Sequence, residues 1–177
     1  MNPHSSILVG QIGGVFWLRI DGKGCFQNSL SVKTAVQDRI ASGVRDFVFD
    51  LDRCPMMDST FLGTMTGVAR DLRECGGGTV TVLNVNARNQ QLLSSLGLDH
   101  VLSVDVDGTA WAEERRQVAC ELEQCAATAA ICKEAQAAHV LQAHQALCEA
   151  NEANSSRFRD VIDFLEKEVD RKLLVAQ

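Results

Sequence analysis

The chain has no tyrosine, and aromatic residues make up only 5% of its 177 positions. A core here must be packed mainly with aliphatic side chains. Proline occurs twice, at Pro3 and Pro55, and no glycine follows Gly108. Without either breaker, residues 109–177 are not a turn-rich architecture; their Ala, Glu, Gln and Leu favour helix. No apolar run approaches the ~18 residues of a membrane-spanning helix. Basic residues are in deficit, 17 Lys and Arg against 23 Asp and Glu, for a net charge of −6. That argues against nucleic acid or an anionic membrane as a generic partner, since both need a basic face. The opening MNPHSSILVGQ has no basic start and no long apolar core, so no secretion signal is expected. The seven cysteines are odd in number and form no CxxC pair. They read as reduced thiols of a cytoplasmic protein, most of them acting as small buried apolar residues.

What is present divides near Gly108. The 46% of hydrophobic residues suffices for a core, and the first half alternates strand and helix signals. Residues 15–20 read as a strand between Gly13-Gly14 and Asp21-Gly22, with residues 7–9 as a hairpin partner. Residues 29–41 read as a helix stopped by Gly43. The near-continuous apolar run Phe47-Val48-Phe49-Asp50-Leu51 suits a central strand covered by helices. A helix over 60–75, a strand over 80–85, a helix over 87–96 and an edge strand over 101–104 follow. This order predicts an α/β domain over 1–107, with a mixed sheet and short crossover helices.

Residues 108–177 predict a helical extension, either one long helix or a hairpin. Val118, Cys125, Cys132, His139 and Ala146 recur every seven residues, beside Leu122, Ala129, Gln136, Ala143 and Ala150. That is a thin seam of small residues, strengthening at Phe158, Val161, Ile162, Leu165 and Val169. The polar run at 151–156 suggests a bend, with Ser155 or Ser156 as the next N-cap. The stripe of Cys125, Cys132 and His139 and the pair His144–Cys148 invite a zinc reading. Heptad neighbours stand ~10 Å apart along a helix, too far to share one ion, so no metal is expected. The glycines 76–78 follow a helix and precede a strand, the reverse of a phosphate loop, so they read as a helix stop. Cys54 has no histidine near it in sequence, which weighs against a Cys/His enzyme.

The stretch with chemistry is LDRCPMMDSTFLG, residues 51–63. A carboxylate and two hydroxyls stand where a buried strand hands over to a helix. Capping alone would explain Asp58 or Ser59. The position beyond the C-terminal end of a central strand, at a helix N-terminus, also suits a phosphate.

These residues resemble the phosphorylation-loop motif of the STAS domain of anti-sigma factor antagonists. There an apolar strand ends in D-L, and an apolar residue then precedes D-S-S/T-G-L-G. Asp50-Leu51 and the run from Asp58 to Gly63 supply the two parts, and the likeness extends over about residues 7–106. Phe61 departs from it, standing where the family commonly has glycine; it either packs inward or stands out beside the serine. The resemblance implies a regulatory protein without catalysis or cofactor. Its partner would be an anti-sigma factor with kinase activity, released when Ser59 is phosphorylated. Thr60 is a weaker phosphosite, and Asp58 would position the hydroxyl or the kinase's metal-bound nucleotide. Phe61, Leu62 and Gly63 would contact the partner. The helical extension would serve dimerisation or docking, or cover its own domain. The rival expectation is a scaffold or adaptor that is never phosphorylated and acts through that extension.

Overall fold

A computed structural model of the chain describes residues 5–125 and 133–175. The elements in chain order are β1 Ser6–Ile12, β2 Val15–Asp21, α1 Phe26–Ala41, β3 Asp46–Asp50, α2 Ser59–Glu74, β4 Thr79–Leu83, α3 Ala87–Ser95, β5 Ser103–Val104, α4 Ala112–Glu121, β6 Glu123–Gln124, α5 Lys133–Ala150 and α6 Ala153–Val175. Among the described residues the strands form one sheet in the order β5-β4-β3-β2-β1-β6. β2 through β5 run parallel, and β1 is antiparallel to both its neighbours.

The sheet buries both faces, and the strand period of two decides which residue goes where. Phe16, Leu18, Ile20, Phe47 and Phe49 face one core with Val32, Val36, Phe61, Leu62 and Leu72. Ile12, Val15, Trp17, Val48 and Leu83 face the other, where Val118 of α4 covers them with Trp111 and Leu122 packed alongside. Phe47, Val48 and Phe49 are each fully buried, as the apolar run predicts for a central strand.

Several boundaries differ from expectation for local reasons. α1 starts three residues early because Asn28 accepts a hydrogen bond from the Cys25 N–H at 2.9 Å and closes a capping box. α6 is capped by Asn151, whose side chain accepts from the Ala153 N–H at 3.0 Å, and not by Ser155 or Ser156. The heptad row does not run along one helix. β6 interrupts it, pairing Glu123 and Gln124 with Val9 and Leu8 on what would otherwise be an open edge of β1. Cys132 and Ala129 of that row lie outside the described residues. His139, Ala143, Ala146 and Leu147 are all buried, and α5 packs chiefly against α2. Leu147 belongs to the main core of the α/β domain, and Ala150 and Phe158 pack against that core.

Candidate functional site

The turn into α2 is built on glycine and a carboxylate. Asp58 is the N-cap: its Oδ1 accepts the Phe61 N–H at 2.9 Å. Its Oδ2 accepts the Phe26 N–H, also at 2.9 Å. One side chain thus caps two helices, placing its charge at the positive ends of both dipoles. The Asp58 N–H in turn donates to the Gly24 carbonyl at 2.9 Å. A Cβ on Gly24 would sit 2.8 Å from the Phe61 ring, so only glycine lets this strand end approach the first turn of α2. Asp58 is therefore directed at the backbone amides of Phe61 and Phe26, the capping role that its position before a helix allows.

Asp50, at the end of β3, holds the loop that leads to this turn. Its carboxylate accepts from Trp17 Nε1 at 3.2 Å, Arg19 Nε at 2.9 Å, Asn84 Nδ2 at 2.7 Å and the Asp52 N–H at 3.1 Å. Burial pushes the Asp50 carboxyl up, but the bonds from Asn84, Asp52 and Arg19 together hold it below the ordinary value. Asn84 reaches back because it adopts φ +56°, a left-handed conformation asparagine tolerates.

Ser59 is the first residue of α2 and is partly exposed. Its Oγ lies 3.0 Å from His144 Nε2 on α5. His144 Nδ1 is 2.8 Å from the Val140 carbonyl, which can only accept, so Nδ1 carries a proton. In the neutral ring Nε2 is then the acceptor, and the Ser59 hydroxyl donates to it. The His144 ring also packs edge-on against Phe158 of α6, centroids 5.1 Å apart.

A second histidine, five residues earlier on α5, reaches both α1 and α2. His139 Nε2 stands 2.9 Å from Ser29 Oγ and 3.3 Å from Thr64 Oγ1. Both hydroxyls already give their protons to backbone carbonyls, of Phe26 and Thr60, so both must accept from His139. Nε2 therefore carries the proton, the opposite tautomer to His144. Nδ1 is left buried with no hydrogen-bond partner among the described residues. Burial holds the His139 pKa down to about 4, with the nearby Lys33 charge adding to the effect.

The other anticipated residues fall in different places. Thr60 is buried. Phe61 packs inward and does not stand beside the serine; it and Leu62 are core residues. Gly63 is in contact, but with this chain's own α5: a Cβ there would lie 2.1 Å from the Ala143 carbonyl oxygen. Cys54 is buried; its thiol is raised by that burial and donates to the Met56 carbonyl. No cluster of three or more His, Cys, Asp or Glu suited to a metal occurs among the described residues.

Sequence reasoning singles out Ser59 and Asp58 but misses His144 as the partner of Ser59, and His139 as that of Ser29 and Thr64. The available signal was two histidines set five residues apart in an Ala-rich helix. On a seam of small residues they had no visible partner.

No curated protein matches the chain. Solved structures do. The Thermotoga maritima protein TM1081, assigned as an anti-sigma factor antagonist, aligns with TM-score 0.53 and 22% identity over 61% of this chain and 93% of its own. The anti-sigma factor antagonist SpoIIAA in its unphosphorylated form aligns with TM-score 0.52 and 16% identity, over 63% of this chain and 98% of its own. The Bacillus cell-fate determinant SpoIIAA in its phosphorylated form gives 0.50 and 16%, over 64% and 99%. At these identities the likeness is one of fold. The STAS domain profile matches residues 6–110, more than half of the sequence, and with this sheet order the chain belongs to the STAS-domain family.

Proposed function

We propose that the chain is an anti-sigma factor antagonist whose grip on an anti-sigma factor kinase ends when Ser59 is phosphorylated. The observation that carries this reading is the place of the Ser59 hydroxyl. It is the first residue of α2, beyond the C-terminal end of the central parallel strand β3, at the positive end of the helix dipole and partly exposed. Thr60, being buried, is the poorer acceptor. Phosphate would add about two negative charges and a large head group to a contact built around a neutral hydroxyl. The domain is then a substrate and not a catalyst, acting in the cytoplasm. The same fold in SpoIIAA, solved in phosphorylated and unphosphorylated forms, supports the class. The half-exposed apolar stripe of α6, with Phe164 63% and Val161 40% exposed, supports self-association through the extension.

The test is incubation of the intact chain with ATP and kinase-type anti-sigma factors, with mass spectrometry at Ser59. Titrations of Ser59→Ala and Ser59→Asp against the same protein accompany it. The Ala variant should bind and the Asp variant should not. Equal binding by both would support the second reading, a scaffold that is never phosphorylated. That reading draws on the Ser59–His144 bond, which gives the hydroxyl a structural task of its own.

A further inference from the structure

The contact of α5 with α1 and α2 is made of unusual material for packed helices. At its centre backbone meets backbone, Gly63 beneath Ala143. The inward residues of α5 include Ala143, Ala146 and one large apolar side chain, Leu147. The rest is polar. Ser59 meets His144 and Thr64 meets His139. Lys33 Nζ donates to Gln142, Gln136 donates to the Phe26 carbonyl at 2.7 Å, and Arg70 pairs with Glu149 at 3.3 Å.

Burying alanines removes little apolar surface from water. Nδ1 of His139, buried with no hydrogen-bond partner among the described residues, opposes the docking further. The Lys33–Gln142, Gln136–Phe26 and Arg70–Glu149 bonds are exposed, where water can replace them, and a segment held in part by such bonds opens before a core of large apolar side chains does. The far corner is held differently. Asn154 Nδ2 donates to the Leu96 and Leu147 carbonyls at 2.9 and 2.8 Å, and Asn154 is itself buried. The hairpin is pinned at its turn and lightly held where it crosses Ser59.

We infer that α5 is an internal occupant of the docking face that α1 and α2 form around Ser59. The chain partly covers its own switch serine, and a partner or kinase gains full access to Ser59 by displacing α5. His144 is the latch, holding the hydroxyl proton and filling the approach to Oγ with its ring. The face fits a protein that presents a helix with a small residue at the crossing point, as α5 does, because Gly63 admits only a close backbone. Who that partner is rests on the reading of Ser59 proposed above; the occupancy by α5 does not.

Amide hydrogen exchange on the intact chain tests this without any partner. In the wild type, α5 amides should exchange at least tenfold faster than those of β2, β3 and β4. Ala143→Arg, which forces bulk against Gly63 from the α5 side, should further speed α5 and the first turn of α2 while the strands keep their rates. His144→Ala, a milder change that leaves the crossing intact, should shift the same segments in the same direction. Exchange of wild-type α5 at the rate of β3, or equal acceleration of the strands in both variants, would make α5 an integral core helix and overturn the inference. Ala143→Arg should also bind the kinase-type anti-sigma factor at least tenfold more tightly than the wild type. Weaker binding would mean that α5 belongs to the partner surface, and would overturn the inference equally. If neither chain binds while the exchange pattern holds, α5 stands as the occupant and the reading of Ser59 fails.

Discussion

Ser59 Oγ and His144 Nε2, 85 positions apart in the chain, stand 3.0 Å apart and join the first turn of α2 to α5. Asp58, not Ser59, makes the cap. Ser59→Ala should therefore leave α2 intact and act through α5. It leaves Nε2 of His144, a residue that is 4% exposed, without its donor. A loss of about 1–3 kcal/mol is expected, the penalty of an unsatisfied buried acceptor. His144→Ala should cost less at Ser59, which is partly exposed and can turn to water. The double variant should lose less than the two single losses added, since both remove one bond. Urea titration of the four chains measures the coupling, and strict additivity would show that the bond contributes nothing.

Gly63→Ala sets two effects against each other. Within a helix alanine is favoured over glycine by about 1 kcal/mol. Here the new methyl would meet the Ala143 carbonyl oxygen at 2.1 Å, and backbone cannot turn aside as a side chain can. Overpacking of this kind typically costs about 1–3 kcal/mol, so net destabilisation is expected. The strain should be relieved by α5 moving off α2. Limited proteolysis should then cut within α5 sooner than in the wild type, while the sheet stays resistant. A variant as resistant as the wild type would refute this.

The stability of the docked hairpin should depend on pH through His139. Its folded pKa is about 4, below the ordinary 6.5. Between those values the unfolded chain binds more protons than the folded one, so stability falls as the solution is acidified. The contribution is complete above about pH 6.5 and is lost by about pH 4, a span on the order of 3 kcal/mol. His139→Gln keeps a side-chain donor for Ser29 and Thr64 but cannot titrate, and should flatten the profile in that window. Parallel curves for the two chains, from melting at stepped pH, would assign the slope to other groups.

A chain ended at residue 108 lacks α4 and β6. It therefore uncovers Trp17, Ile12, Val15 and Leu83, which Val118 and its neighbours shield. Burying side chains of this size contributes about 1.5–3 kcal/mol each. A chain ended at residue 125 keeps that cover and completes the sheet with β6. It should melt several degrees above the shorter chain, as expected when a few kcal/mol separate domains of this size. Equal melting temperatures would show that the α/β unit over 1–107 is self-sufficient, the division that composition alone suggests.

Much of the fold is legible before any coordinate. Phe47-Val48-Phe49 and the glycines after α1, α2 and α3 carry local signals, because strand period, helix stops and caps depend on residues within a few positions. The motif from Asp58 to Gly63 is local in the same sense. It announces a helix N-terminus with a hydroxyl on it.

β6 was not legible, because Glu123-Gln124 has no strand character of its own and pairs only because β1 offers an open edge. Nor was the second cap made by Asp58, which depends on Phe26 arriving from 32 positions earlier.

Local signals along the chain specify an α/β domain with a serine at the start of a central crossover helix, and a breaker-free helical tail after it. What lies over that serine is set by long-range packing alone. The residues of α5 that face inward are mostly small or polar, and such a face carries no directional hydrophobic signal. Where it docks follows from one long-range match: the backbone space left by Gly63, and two histidines that find hydroxyls on α1 and α2.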